Sequence, residues 1–337
     1  MKKIFIIIML FTSGISSAED MGIVYVRRAN AEFQKKQYKK ALEIYNKALK
    51  FDVNRALVYY NIANVYYLLN QPWESIVYYE KVIELAPDFI NSYLNLSKIL
   101  NKIKEYDKAV LILKKALEAK PDNEECLLLL GSCYMSLEIM PDAIYYFEKA
   151  KEFYPYKLTS YYFLTEAYLT LNDYDSAIAQ MEQAADISQD AQLLSYLGDL
   201  YQASGDYEKA INTFENIIDV KKKDEAAYYR LAESYLANDQ RFMAIDTLKR
   251  AIENIPGHID AYIFLGNIYF DNSFFEDAEK TFFLAAKINP KKVRVYIRNL
   301  AITYYNQKDE EKLKSLYMKA IKIDPSLAGV MRELVKI

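Results

Sequence analysis

An all-α solenoid of nine helix-turn-helix repeats is the fold class this sequence predicts, and three observations predict it. A 34-residue pattern recurs from residue 22 almost to the end of the chain. Inside each unit, apolar residues fall three and four apart, the spacing that lines one side of a helix, and a short break separates two such runs. The 337 residues hold only eight glycines and eight prolines, with abundant Leu, Ala, Lys, Glu and Tyr, a composition that fits helices and disfavours a large sheet.

The stretch from Tyr196 to Phe214, YLGDLYQASGDYEKAINTF, shows one unit. Leu194, Leu197, Gly198 and Tyr201 form the stripe of a first helix, Gly205 and Asp206 interrupt it, and Tyr207, Ala210, Phe214 and Ile217 form the stripe of a second. Neither helix covers its stripe alone, so the pair must stack on its neighbours, and repetition then yields one elongated core.

Residues 1–18 read differently. Lys2 and Lys3 precede an apolar run from Ile4 to Phe11, and Ser16, Ser17 and Ala18 stand before Glu19, the layout of a secretory signal peptide cut after Ala18. The run is shorter than the roughly 20 residues of a spanning helix, no cysteine near the cut offers a lipid anchor, and no later stretch could span a membrane. The expectation is therefore an exported, periplasmic protein. Removal of the segment shifts the net charge from −3 to −5, which disfavours nucleic acid and anionic membranes as partners. Cys126 and Cys133 sit seven residues apart on one helix, about 10 Å along its axis, too far to bridge.

In order, the repeats are expected over 22–55, 56–89, 90–123, 124–157, 158–190, 191–224, 225–258, 259–293 and 294–327, with a capping helix over 328–337. The first-helix small column reads Ala29, Ala63, Ser97, Gly131, Thr165, Gly198, Ala232, Gly266 and Ala301. The second-helix column reads Ala41, Ser75, Ala109, Ala143, Ala177, Ala210, Ala244, Ala278 and Leu313. Small side chains there let helix axes approach closely. Three residues after the first column comes a ring in seven repeats, Tyr66, Tyr134, Tyr168, Tyr201, Tyr235, Tyr269 and Tyr304, and an earlier column holds Tyr25, Tyr59, Tyr93, Tyr161, Tyr228 and Tyr262. Their regular spacing makes them packing residues. The second helix adds Tyr45, Tyr79, Leu113, Phe147, Met181, Phe214, Leu248, Phe282 and Tyr317, and proline ends six units at Pro87, Pro121, Pro155, Pro256, Pro290 and Pro325.

These columns closely resemble the signature of the tetratricopeptide repeat family: an aromatic residue or Leu, then Leu-Gly, Tyr, Ala, Phe or Tyr, Ala and Pro across 34 residues. The resemblance covers residues 22–327. It implies a right-handed superhelix whose first helices line a concave surface that receives a peptide or another protein. Some members clamp a C-terminal carboxylate; Asn30 and Asn61 match that clamp, but Val26, Leu57 and Asn91 stand where it wants other residues, mostly Lys. Arg28 and Glu32 replace the expected Leu and Tyr of the first repeat, as suits an outer end, and Gln189 and Lys222 replace the turn proline.

Chemistry finds little support. The one histidine, His258, lies in a Pro-Gly-His turn, which removes His-rich metal sites and disfavours a Ser/His or Cys/His nucleophile. No phosphate-cradling glycine loop or calcium-loop spacing occurs, so the chain reads as non-enzymatic, without cofactor or metal.

The face of the first helices left over by the core columns carries the candidate binding residues. Early in the chain these are Asn30, Tyr60, Asn61, Asn64, Asn91, Asn95, Lys98 and Lys102, a basic and amide-rich set. Further on they are Tyr162, Glu166, Tyr196, Asp199, Tyr229, Arg230, Glu233, Phe264 and Asn267, an acidic and aromatic set, followed by Arg298 and Asn299. Amides donate to and accept from a peptide backbone, and rings supply apolar area. The expected function is a scaffold or adaptor that binds an extended segment of another envelope protein, its acidic part near Asn30 to Lys102 and its basic part near Glu125 to Asp271. The alternative is a glycan-binding module or accessory subunit of a cell-envelope enzyme, since rings flanked by amides also hold sugars.

Overall fold

The computed structural model describes residues 18–329 with Met331 and Leu334, and the expected signal segment up to residue 17 and most of the expected capping helix lie outside these described residues. All regular structure among them is helical. The contacts divide the chain at Asp173 and Tyr174 into two units, each a series of successively packed helices.

The first unit runs α1 (Ala18–Gln34), α2 (Tyr38–Ala48), α3 (Arg55–Leu68), α4 (Pro72–Leu85), α5 (Ile90–Lys102), α6 (Tyr106–Ala119), α7 (Glu124–Ser136), α8 (Met140–Phe153) and α9 (Leu158–Thr170). The second runs α10 (Tyr174–Ile187), α11 (Ala191–Ser204), α12 (Tyr207–Val220), α13 (Glu225–Ala237), α14 (Arg241–Asn254), α15 (Ile259–Asp271), α16 (Phe275–Ile288), α17 (Pro290–Asn306), α18 (Glu310–Ile323) and α19 (Pro325–Gly329). Each helix packs on the next within its unit, and first helices also meet the first helix of the next hairpin: α5 with α7 and α7 with α9 in one unit, α11 with α13, α13 with α15 and α15 with α17 in the other. They thus form a continuous helical face over α5, α7 and α9 in the first unit and over α11, α13, α15 and α17 in the second.

One turn geometry follows the first helix of every repeat. The first helix ends on a residue in the left-handed region, and the next amide reaches back five residues to a helix carbonyl, as Glu105 N does to Leu100 O at 2.9 Å and Asp206 N to Tyr201 O at 2.9 Å. Glycine is the natural occupant, yet only Gly205 (φ 87°) supplies it; Lys36, Asn70, Lys104, Glu138, Asn172, Asp239, Ser273 and Lys308 hold φ between 56° and 63° elsewhere. Where the inter-repeat proline is missing, side chains finish the turn: Gln189 Nε2 donates to Ala185 O at 2.7 Å, and Asp190 and Asp224 accept from Gln192 N and Ala227 N at the start of α11 and α13.

The small columns are buried, and their size is matched to what they meet. A Cβ placed on Gly131, Gly198 or Gly266 would fall 2.4, 2.6 or 2.3 Å from Phe147, Phe214 or Phe282. Glycine therefore stands on the first helix where phenylalanine occupies the second, and the ring lies against bare backbone. Tyr66 and Tyr134 stack on Tyr78 and Tyr146 at 5.4 and 5.6 Å. In the second unit the hydroxyls of this column reach the preceding hairpin: Tyr201 donates to Glu182 at 2.6 Å, Tyr235 to Glu215 at 3.4 Å and Tyr304 to Glu279 at 3.3 Å. Burial, and after it the Glu182 carboxylate, push the Tyr201 phenol well above its ordinary value.

Arg28 is exposed at the outer end of the first unit, whereas Glu32 is buried there, held by Lys35 and Lys40 at 3.2 and 3.1 Å. Cys126 and Cys133 are both free and buried. At the other end Leu327, Ala328 and Met331 close the core.

A candidate binding cleft and a buried amide network

In the first unit the amide-rich set is drawn inward. Asn30, Tyr60, Asn61 and Asn64 are 1–7% exposed. Asn30 accepts from the hydroxyl of Tyr45, fifteen residues on, and Asn64 accepts from Tyr79, also fifteen residues on, at 2.5 Å. Asn61 Nδ2 donates to Asn30 at 3.5 Å, and Asn95 Nδ2 donates to the hydroxyls of Tyr60 and Tyr79 at 3.0 and 3.2 Å. The network ties first helices to second helices and one repeat to the next. Desolvation raises the Tyr60 phenol, with the Asn95 and Asn64 amides opposing it. Of the remaining early residues, Asn91 and Lys102 are exposed, with the Lys102 ammonium 5.4 Å from the Tyr67 ring, and half-buried Lys98 pairs with Glu125. On α9, Tyr162 is half-buried and Glu166 exposed.

The second unit brings its set together around a cleft of about 810 Å³ between α13, α15 and the start of α17. Tyr229, Arg230, Phe264 and Asn267 line it, with Glu225, His258, Asp260, Ile263, Lys292 and Tyr296. Tyr229 and Phe264 lean together at 4.8 Å between centroids, and Tyr296 stacks on Phe282 at 5.2 Å. Arg230 is held between Asp199 at 3.1 Å and Glu233 at 3.2 Å, and Lys292 reaches Asp260 at 3.1 Å. Burial raises the Asp199 carboxyl against the pull of Arg230, and burial followed by Glu233 raises the Tyr229 phenol. Tyr196 is half-buried on α11; Arg298 and Asn299 are exposed on α17 and lie outside the cleft lining.

Glu225, His258, Lys292 and Tyr296 were missing from the sequence-based set. His258 stands in the turn before α15, and Glu225 and Lys292 at the first turns of α13 and α17, where helical periodicity says nothing about which way a side chain turns. Tyr296 stands two residues into the last repeat, where other repeats carry buried residues such as Ser92, Cys126, Ala227 and Ala261, so its column did not mark it as a face residue. No group of three or more His, Cys, Asp or Glu among the described residues is placed to hold a metal ion, and no described helix is long and apolar enough to cross a membrane.

What these elements define is a helical-repeat scaffold of the protein-interaction class. Tetratricopeptide repeat models match residues 29–70, 56–89, 158–190, 193–226, 226–258 and 299–327, and the model of anaphase-promoting complex, cyclosome, subunit 3 matches 73–150. The chain belongs to the tetratricopeptide repeat family. Among solved structures, a crystal structure of MamA protein is 28% identical over 49% of this chain and 91% of its own, with a TM-score of 0.41. YrrB, described as a TPR protein with an unusual peptide-binding site, is 22% identical over 54% of this chain and 95% of its own, with a TM-score of 0.42. A tetratricopeptide repeat protein from Parabacteroides merdae is 15% identical over 72% of this chain and 96% of its own, with a TM-score of 0.46. No curated protein matches the chain.

Proposed function

We propose that this chain is a non-enzymatic adaptor of the cell envelope that holds an extended segment of a partner protein against its first helices. The observation that carries the reading is the α13–α15–α17 cleft, where two leaning rings are bordered by carboxylates, an amide and two cations on three successive first helices. Rings in such a setting give apolar area at low entropic loss, and the polar rim fixes register. The exported, periplasmic location rests on the layout of residues 1–18.

A second reading, glycan binding, draws on the same rings, which with Asn267 and Asp260 also suit a sugar face. Pull-down from envelope extract before and after muramidase treatment separates the two: adaptor function predicts a protein recovered equally in both, and glycan binding predicts loss after digestion. Recovery of no specific partner in either arm would count against both.

A further inference from the structure

The cleft of the second unit contains a polar group that packing does not explain. His258, the chain's one histidine, is 4% exposed, and neither ring nitrogen makes a hydrogen bond. Its Nδ1 lies 3.5 Å from the carboxylate of Glu225, whose side chain is 57% exposed. The contact makes no hydrogen bond in this structure, and an imidazolium would add charge attraction to the carboxylate.

The charges around it favour one kind of ligand. Glu225 and Arg230 come from α13, Asp260 from α15 and Lys292 from α17, while α14 contributes no side chain to the lining. Arg230 is already shared between Asp199 and Glu233, and Lys292 is spent on Asp260. Four carboxylates therefore surround two permanent cations, and Glu225 alone lacks a permanent cationic partner among the pairs seen there. Tyr229 and Phe264 line the same cleft as Glu225, and aromatic rings attract cations.

We propose that the cleft takes a lysine or arginine side chain of the bound segment, that Glu225 is the carboxylate it pairs with, and that His258 competes for Glu225 once protonated, which makes binding proton-linked. The proposal rests on the adaptor reading and specifies its site. Above the imidazole's titration, Glu225 is open to the ligand cation. Below it, His258 carries a positive charge, occupies Glu225 and repels the ligand, so affinity falls as pH falls. By reciprocity, a bound cation makes His258 harder to protonate.

A single histidine gives a single imidazole Cε1–H signal, so the tag-free full-length protein reports directly. Its titration would be followed between about pH 5 and pH 8, where imidazoles change charge, with N-acetyl-arginine amide as probe and N-acetyl-citrulline amide and N-acetyl-glutamate amide as controls. The arginine probe is expected to move the signal and displace its midpoint to lower pH, and to bind at least ~3-fold more weakly at the acid end, since half a unit of displacement corresponds to that factor. Glu225→Gln, at an exposed position, should weaken binding at neutral pH, and His258→Gln should bind with little dependence on pH. A signal unmoved by arginine, a stronger response to the glutamate probe, or affinity independent of pH in the unsubstituted chain would overturn the proposal. Crosslinking to a partner from position 264 reads the adaptor function separately: an adduct with a silent histidine removes only this proposal, and arginine binding without any adduct removes only the adaptor.

Discussion

Replacing Gly198 with alanine perturbs the contact on which each Gly/Phe hairpin closes. The new Cβ would lie 2.6 Å from Phe214 Cζ, where carbon atoms at optimal separation stand about 3.5–4.0 Å apart. Phe214 is fully buried, so the ring cannot retreat into solvent, and overpacking of this kind costs about 1–3 kcal/mol. Helix propensity acts the other way, because alanine is better than glycine by about 1 kcal/mol in a helix interior. The net loss for Gly198→Ala is then up to about 2 kcal/mol. The seventh repeat shows how to relieve it, since Ala232 and Leu248 occupy the same two columns there. With Phe214→Leu in place the clash is gone, and Gly198→Ala should stabilise by about 1 kcal/mol. A double-mutant cycle from urea unfolding, followed by far-ultraviolet circular dichroism, should therefore give a coupling of about 1–3 kcal/mol. Additivity within about 0.5 kcal/mol would refute the size-matching argument.

Three further outcomes are expected. Lys104→Gly and Glu138→Gly, at left-handed turn positions with φ of 63° and 61°, should each raise stability by about 0.5–1 kcal/mol in the same unfolding assay, and Gly205→Lys should lower it; no change at all three would contradict the turn assignment. Burial pushes the Cys126 thiol up to about 12 and the Cys133 thiol up to about 11. Both are raised above an ordinary value of 9.0, so the stability they contribute is fully present below pH 9 and is lost as pH rises from there toward 11–12; a thiol-reactive dye should label neither in the native protein at pH 8 and both in urea. Asn64→Ala leaves the buried Tyr79 hydroxyl without its acceptor and should cost about 1–3 kcal/mol, most of which Tyr79→Phe should restore; a loss unchanged by the second substitution would point elsewhere.

The helical repeat was legible because one pattern recurs nine times, so each column was read against eight others. Gly131, Gly198 and Gly266 fell into the small column by spacing alone, and the phenylalanines they accommodate fell into theirs. Beyond Gly205, only Asn70, Asn172 and Asp239 are of residue types favoured in the left-handed region, so the turns were legible in part. Lys36, Glu138 and Lys308 carry no conformational signature, and they take the left-handed geometry because tertiary packing of the hairpin imposes it. The amide-rich set illustrates a different limit. Periodicity places Asn30 and Asn64 on the first-helix face left over by the core columns, but a tyrosine hydroxyl at the second-helix column draws each amide into the buried interior. The fifteen-residue spacing of Asn30 with Tyr45 and Asn64 with Tyr79 was present in the sequence, in the two repeats where tyrosine rather than phenylalanine or leucine fills that column beside an asparagine. In the cleft, Tyr229, Arg230, Phe264 and Asn267 followed from helix periodicity, while His258 sits in a turn and was out of its reach.

The most direct measurement places the photoreactive residue benzoylphenylalanine at position 264, inside the cleft, and at position 220, an exposed site outside its lining, and illuminates cells that make each full-length variant. The adaptor account predicts a discrete protein adduct from position 264 that is absent from position 220 and diminished by Tyr229→Ala. No adduct from position 264, or the same adducts from both positions, would contradict it.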